Sequence, residues 1–121
     1  MSEVKVLEEN GKQIVYMEFP ESGAMDEIDQ VISEGKGIIH SSDPESVLAL
    51  SNIKFQDPNP DIMKAIEGFT KSNKPYIKKS AVIGISGVKK ALVNAIAGIT
   101  GRNMKVCSSK EEAIDYLTKD S

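Results

Sequence analysis

The stretch Ser80-Ala-Val-Ile-Gly-Ile-Ser-Gly-Val-Lys-Lys-Ala-Leu-Val-Asn-Ala-Ile-Ala-Gly-Ile-Thr-Gly101 contains the change of hydrophobic period that decides the fold class. Its first part, Ala81 to Ile85, is an apolar run without polar alternation, which is typical of a strand buried on both faces of a parallel sheet. After Ser86-Gly87, apolar residues recur with the spacing of one helix face: Val88, Ala91, Leu92, Ala95, Ile96 and Ile99. A buried strand that turns sharply into an amphipathic helix is half of a βαβ unit.

The remaining sequence predicts strands and helices on both sides of this unit. Upstream, Val4 to Glu8 and Lys12 to Phe19 are β-prone runs joined by Asn10-Gly11, the dipeptide that most strongly favours a type I′ hairpin turn. In the second run, Ile14, Tyr16 and Glu18 would face one side of the sheet, and Val15, Met17 and Phe19 the other. The other predicted elements are a helix with the stripe Ile28, Val31, Ile32, Gly35 and Ile38/Ile39, a strand at Val47 to Leu50, a helix at Asp61 to Ser72, a strand at Met104 to Cys107, and a closing helix burying Ala113, Ile114 and Leu117. Gly35 and Gly37 are expected to weaken the last turn of the first of these helices, and Ser108 or Ser109 to cap the closing helix. The predicted fold is α/β in the order ββαβαβαβα, with a mostly parallel, mixed sheet, an N-terminal hairpin and the helices packed on the sheet.

Length and composition favour one globular domain spanning residues 1–121, with 40% hydrophobic and 27% charged residues. No apolar run approaches the roughly 20 residues that span a bilayer, so no transmembrane segment is expected, and the acidic N-terminus does not resemble a signal peptide. The single cysteine, Cys107, excludes an internal disulfide. We therefore expect a cytoplasmic protein.

Charge is distributed unevenly along the chain. Residues 1–63 carry 4 basic and 13 acidic side chains, whereas residues 64–105 carry 9 basic side chains and 1 acidic one. Such a block can bind anions, nucleic acid or anionic lipid, or its lysines can simply be solvated. Because no nucleic-acid motif accompanies it, a nucleic-acid partner is not expected.

An anion site is predicted where the central strand becomes a helix. Free backbone N–H groups at Ser86 and Gly87 can bind an anion there, and Lys89 and Lys90 add positive charge. The segment matches neither a dinucleotide-binding nor a phosphate-loop motif. Tight packing of strand against helix explains its glycines equally well, so both interpretations stay open.

Catalytic and metal sites find little support in the sequence. His40 is the single histidine, so a nitrogen and sulfur metal site cannot be assembled, and we expect a surface histidine at a helix end. Ser51 or Ser86 could formally join His40 in a triad, but neither has the flanks of a nucleophile elbow. Cys107 is expected to be a buried, inert thiol. We therefore predict a protein that is not an enzyme and has no cofactor.

Two segments resemble the STAS domains, the SpoIIAA-like fold of anti-sigma-factor antagonists. Val47-Leu-Ala-Leu-Ser-Asn-Ile-Lys-Phe-Gln-Asp57 is similar to the family's strand and its following Phe-x-Asp loop. Ile85-Ser-Gly-Val-Lys-Lys90, with Gly101-Arg102 downstream, is similar to the family's next strand and helix start. The resemblance extends over nearly the whole chain by element order, and is nearest to small stand-alone proteins described as STAS/SEC14-like. It implies a binding or regulatory module.

The loop that carries the family's switch differs here. In the antagonists this loop reads Asp-Ser-x-Gly, and a partner kinase phosphorylates the serine. The present chain has Asp57-Pro58-Asn59-Pro60, in which proline offers no hydroxyl and fixes φ. The resemblance therefore implies the STAS fold without regulation by phosphorylation of a serine in this loop. Asp57 is expected to be a turn or helix-capping residue.

Three functions follow from these expectations. The first is a non-enzymatic module that binds a protein partner. The second is a carrier or sensor of a lipid or other anionic ligand. The third is an enzyme, for which the sequence offers no convincing set of catalytic residues. A carrier needs an apolar cavity of several hundred Å³, which a protein-binding module does not.

Self-association is a further expectation. If successive parallel strands lie side by side, right-handed crossovers place their helices on one face of the sheet. The other face then needs a cover, which the hairpin or a second subunit would supply. We therefore predict a homodimer.

Overall fold

A computed structural model describes residues 3–56, 59–85, 93–94, 98 and 104–119 of the chain. The elements are β1 (Glu3–Glu9), β2 (Lys12–Phe19), α1 (Met25–His40), β3 (Val47–Ile53), α2 (Pro60–Asn73), a 3-10 turn (Lys74–Tyr76), β4 (Ile77–Ile83), β5 (Met104–Val106) and α3 (Lys110–Thr118). They form an α/β fold around a five-stranded mixed sheet, which confirms the predicted fold class at this level. Of the helix predicted between β4 and β5, only Val93, Asn94 and Gly98 are described, and all three are helical.

The predicted hairpin at Asn10-Gly11 is confirmed. Asn10 has φ 51° and Gly11 has φ 77°, the positive values that a type I′ turn requires at both positions. β1 and β2 pair antiparallel along their whole length. The side chains of β2 alternate between two buried clusters as predicted, with Val15, Met17 and Phe19 in one and Ile14 and Tyr16 in the other.

The strands lie in the sheet in their sequence order, and β2, β3, β4 and β5 are parallel neighbours. α1 and α2 bury their apolar stripes in one common cluster with the sheet. This is the arrangement expected when consecutive parallel strands are joined by crossovers of one hand. The first cluster includes Ile28, Val31 and Ile39 of α1 and Ile62, Ile66 and Phe69 of α2.

β3 is longer than predicted. The sequence pattern ended this strand at Leu50, but the ladder continues through Ser51, Asn52 and Ile53. These residues pair with β2 on one side and, as far as Asn52, with β4 on the other, so their backbone groups are satisfied in spite of two polar side chains. Pairing on both sides therefore outweighs the local polarity that indicated a loop.

α3 covers the second face of the sheet, which corrects the expectation that the hairpin or a second subunit must do so. Ala113 and Leu117 of α3 pack in a cluster with Ile14, Leu50 and Ala81. Since α3 follows the last strand, it joins no two strands, and the crossover rule does not restrict its face. The predicted helix start is confirmed at Ser109, whose Oγ accepts a hydrogen bond from the Glu112 N–H at 3.1 Å.

Candidate functional site

The loops that follow β3 and β4, which belong to the two segments resembling the STAS domains, begin at the same edge of the sheet. β3 ends at Ile53 and β4 at Ile83, and the two strands are parallel neighbours, so the chain leaves both at the carboxyl edge. In open α/β sheets, ligands commonly bind outside this edge. We therefore take the carboxyl edge of β3 and β4 as the candidate functional site.

Several predicted site residues lie outside the described part of the chain: Asp57, Pro58, Ser86, Gly87, Lys89 and Lys90. The anion site and the first half of the family loop therefore stay predictions. Asn59 is described, and it caps α2: its Oδ1 accepts from the Ile62 N–H at 2.9 Å. Pro60 then occupies the first turn, where its missing N–H costs nothing. Asn59 is therefore the N-cap of α2, and the expectation of a turn or helix-capping residue at Asp57 stays a prediction.

An open cleft of about 480 Å³ lies at the carboxyl edge. Its described lining consists of Glu21, Asn52, Ile53, Lys54, Gln56 and Gly84. Glu21 and Gln56 are exposed, so they present one acidic and one amide side chain to a partner. The lining is polar and carries both signs of charge, which suits a protein surface better than an apolar ligand.

Gly84 sets the distance between the two loops of the cleft. Its φ is +85°, in the left-handed region that disfavours other residues. A Cβ here would overlap the carbonyl oxygen of Ile53 and lie 3.1 Å from Oδ1 of Asn52. The end of β4 therefore approaches the end of β3 more closely than a side chain allows.

A chain of polar contacts supports the cleft from the face that α3 covers. The Tyr16 hydroxyl donates to Oε1 of Glu18 at 2.8 Å and accepts from Nδ2 of Asn52 at 3.0 Å. Oε2 of Glu18 lies 3.4 Å from Nζ of Lys54. Sequence reasoning missed this network, although it placed Tyr16 and Glu18 on one face of β2. The available signal was two polar residues, Glu18 and Asn52, at the ends of otherwise apolar strands.

The contacts in this network shift the pKa values of Tyr16 and Glu18 in opposite directions. Burial raises the pKa of Tyr16, and the neighbouring Glu18 adds to this, although the Asn52 amide opposes it. Burial alone would raise the pKa of Glu18 as well, but the Tyr16 hydroxyl and the Lys54 ammonium outweigh it and lower that pKa. Tyr16 thus stays a neutral donor and Glu18 an ionised acceptor. Because the Tyr16 hydroxyl and the Glu18 carboxylate are hydrogen-bonded to each other, both are poorly placed to transfer a proton to a substrate.

His40 is more enclosed than the predicted surface histidine. It ends α1, is half-buried, and stacks on Tyr76 with ring centroids 4.7 Å apart. Its Nε2 lies 3.0 Å from Oδ1 of the buried Asn73, and this contact joins the carboxyl ends of α1 and α2. The position and bonding of His40 therefore have a packing explanation.

Cys107 has the environment predicted for it. Its side chain is buried in the cluster beneath α3, and burial raises the pKa of the thiol, with Glu112 adding to the effect. A raised pKa disfavours the reactive thiolate. Among the residues that the structure describes, no group of three His, Cys, Asp or Glu side chains is placed to hold a metal ion.

A small apolar cavity of about 60 Å³ lies between the sheet and α2. Its described walls include Met17, Ser51 and Ser80 of the sheet and Ile66 and Phe69 of α2. The buried Oγ of Ser80 has no hydrogen-bond partner. This volume is far below the several hundred Å³ of ligand pockets.

No protein-family model matches the chain, and no curated protein is significantly similar to it. Within the described residues, no helix is both long enough and apolar enough to cross a membrane.

Proposed function

We propose that this protein is a non-enzymatic binding and regulatory module of the STAS kind, which recognises a protein partner through the carboxyl edge of β3 and β4. The observation that carries the proposal is the open cleft of about 480 Å³ between the two loops that resemble the family. Two of its lining residues are tied to the polar network behind it, Asn52 to Tyr16 and Lys54 to Glu18, and no nucleophile and base face each other among its described residues. The N-terminal hairpin and the consecutive parallel strands are compatible with the fold that the resemblance to STAS domains implies.

We infer that regulation does not use the family's phosphoserine. Pro58 stands at the phosphoacceptor position of the resemblance and has no hydroxyl. The nearest hydroxyl upstream is Ser51, which lies inside β3 and lines the apolar cavity. A kinase would have to open the sheet to reach it. Stoichiometric phosphorylation of Ser51 that alters partner binding, found by phosphoproteomics, would contradict this inference.

The proposed surface is tested by affinity capture with matched variants. E21K/Q56K changes two exposed residues of the cleft, and E34K/Q30K makes the same chemical change on the exposed side of α1. Quantitative mass spectrometry should find a protein that the native chain and the α1 variant retain and that the cleft variant loses. Binding of that purified protein should then weaken by about tenfold or more in the cleft variant, as for central interface residues.

Equal retention by both variants would contradict the carboxyl edge as the interface. Lipid mass spectrometry on the same samples tests the alternative, a carrier or sensor of a lipid or other anionic ligand. The small volume of the described cavity supports the protein-binding module, since an acyl chain would not fit it. A lipid that co-purifies in stoichiometric amount would instead favour the carrier. The cytoplasm is the compartment we propose, because the single thiol is free and buried.

A further inference from the structure

β1 forms one edge of the sheet, and no strand among the described residues pairs with its outer side. The strand is seven residues long, contains no proline and pairs with β2 without a shift of register. Natural edge strands are often shortened, bulged or interrupted by proline, which keeps them from pairing with another chain. β1 has none of these features, and Val6 in its middle is 47% exposed. Its outer side is therefore open to a further strand.

The hairpin turn determines which backbone groups of β1 point outwards. In a two-residue hairpin, the residues that flank the turn form a hydrogen-bonded pair, and such pairs alternate along an antiparallel ladder. Glu9 and Lys12 flank this turn, so the odd-numbered residues of β1 are those that bond to β2. The N–H and C=O groups of Val4, Val6 and Glu8 consequently point away from β2 and can bond to another strand.

The charges of β1 favour one register of pairing with a second copy. When two identical strands pair antiparallel about a twofold axis, one residue faces its own copy. If that residue is Lys5, two ammonium groups face each other. If it is Val6, Glu3 faces Glu9 of the second copy at both ends. If it is Leu7, Lys5 faces Glu9 of the second copy on both sides of the axis, and no like charges are directly opposite.

We propose that β1 pairs in this last register with β1 of a second copy, so that one sheet runs through a homodimer. Both charged groups can make the new contact. Lys5 lies 3.3 Å from Glu3 of its own strand, but both side chains are about half exposed, and such exposed pairs are weak. Glu9 faces Lys12 in its own hairpin, and a carboxylate can accept from two ammonium groups at once.

Two short strands bury less area than a standard interface, so the dimer is weak and forms as the concentration rises. This reason for self-association is independent of the second face of the sheet, which α3 covers.

The register is tested by two charge reversals, Lys5→Glu and Glu9→Lys, whose dimerisation is measured by sedimentation equilibrium. Each variant alone places like charges opposite each other twice and should dimerise about tenfold more weakly than the native chain, or worse. In an equimolar mixture, the new carboxylate at position 5 faces the new ammonium group at position 9. The native pair of Lys5 and Glu9 re-forms on the other side of the axis. The mixture should therefore dimerise about as well as the native chain.

The matched controls are Lys36→Glu and Glu34→Lys, which make the same changes of charge on the exposed side of α1. Each should dimerise like the native chain. A native chain that stays monomeric at high micromolar concentration would overturn the proposal. So would equal losses in the controls, or a mixture that associates no better than its two components.

Hydrogen exchange of the native chain tests the same contact without any variant, and so does not depend on how well the variants fold. The outward amides of Val6 and Glu8 should exchange more slowly as the protein concentration rises, because they become bonded to the second copy. Unchanged exchange at both amides over a range in which the chain dimerises would show that the dimer uses another surface.

The proposed partner site lies at the carboxyl edge of β3 and β4, and β2 separates β1 from these strands. Each proposal can therefore fail without the other.

Discussion

At the scale of single residues, the Tyr16–Glu18–Lys54 contacts link the charge of one carboxylate to the stability of the fold. The pKa of Glu18 in the folded chain lies below its ordinary value of 4.5. Its stabilising contribution is therefore fully present above about pH 4.5 and is lost as the pH falls through the lowered pKa.

We expect Glu18→Gln to flatten the fall in stability between about pH 6 and about pH 3. The measurement is the urea midpoint as a function of pH. Some dependence should remain, because the Ser108 N–H lowers the pKa of Glu112 and this acts in the same direction. Glu34→Gln, at an exposed position of α1, serves as the control. A pH profile of Glu18→Gln that equals the profile of the native chain would show that the network does not bias this carboxylate.

At the scale of elements, α1 contains two glycines whose roles differ. The sequence indicates that Gly35 and Gly37 both weaken the last turns, yet the helix continues to His40. A Cβ on Gly35 would lie 2.7 Å from Sδ of Met17 and 3.1 Å from Cζ of Phe69, so at Gly35 α1 packs tightly against β2 and α2. A Cβ on Gly37 would meet nothing within 4 Å.

Alanine substitutions should therefore change stability in opposite directions. Gly37→Ala should raise the free energy of unfolding by about 0.5–1 kcal/mol, because alanine loses less backbone entropy in a helix. Gly35→Ala gains the same helix propensity but overpacks the core, and should lower that free energy by about 1–3 kcal/mol. Urea denaturation of the two variants measures both effects. Stabilisation by both would mean that Met17 and Phe69 move aside at little cost.

At the scale of the whole molecule, α3 decides whether the second face of the sheet is covered. The predicted homodimer was inferred from an uncovered face, and α3 removes that reason. Dimerisation itself stays a prediction. Light scattering at high micromolar concentration checks it, and a strict monomer would contradict it.

The role of α3 as the cover is tested by shortening its largest fully buried side chain. Leu117 is 1% exposed and belongs to the same buried cluster as Leu50 of β3 and Ala81 of β4. Leu117→Ala should lower the free energy of unfolding by about 2–5 kcal/mol, the range for a buried leucine that leaves a cavity. Ile114→Ala, at a half-buried position of the same helix, should cost less. A loss of less than about 1 kcal/mol for Leu117→Ala in urea denaturation would indicate that α3 contributes little to the core.

The sequence by itself determined the features that depend on neighbouring residues. Asn10-Gly11 specifies the hairpin because its φ values are local, and the alternation along β2 assigns side chains to two faces because a strand has a period of two. Ser109 caps α3 for a similar reason. Only the tertiary structure decided that α3 packs on the second face, that Ser51 to Ile53 extend β3, and that Asn52 reaches Tyr16. The cleft at the carboxyl edge likewise combines residues far apart in the chain, such as Glu21 with Gly84. Such contacts depend on how the strands and helices pack, and no local pattern of residues encodes them.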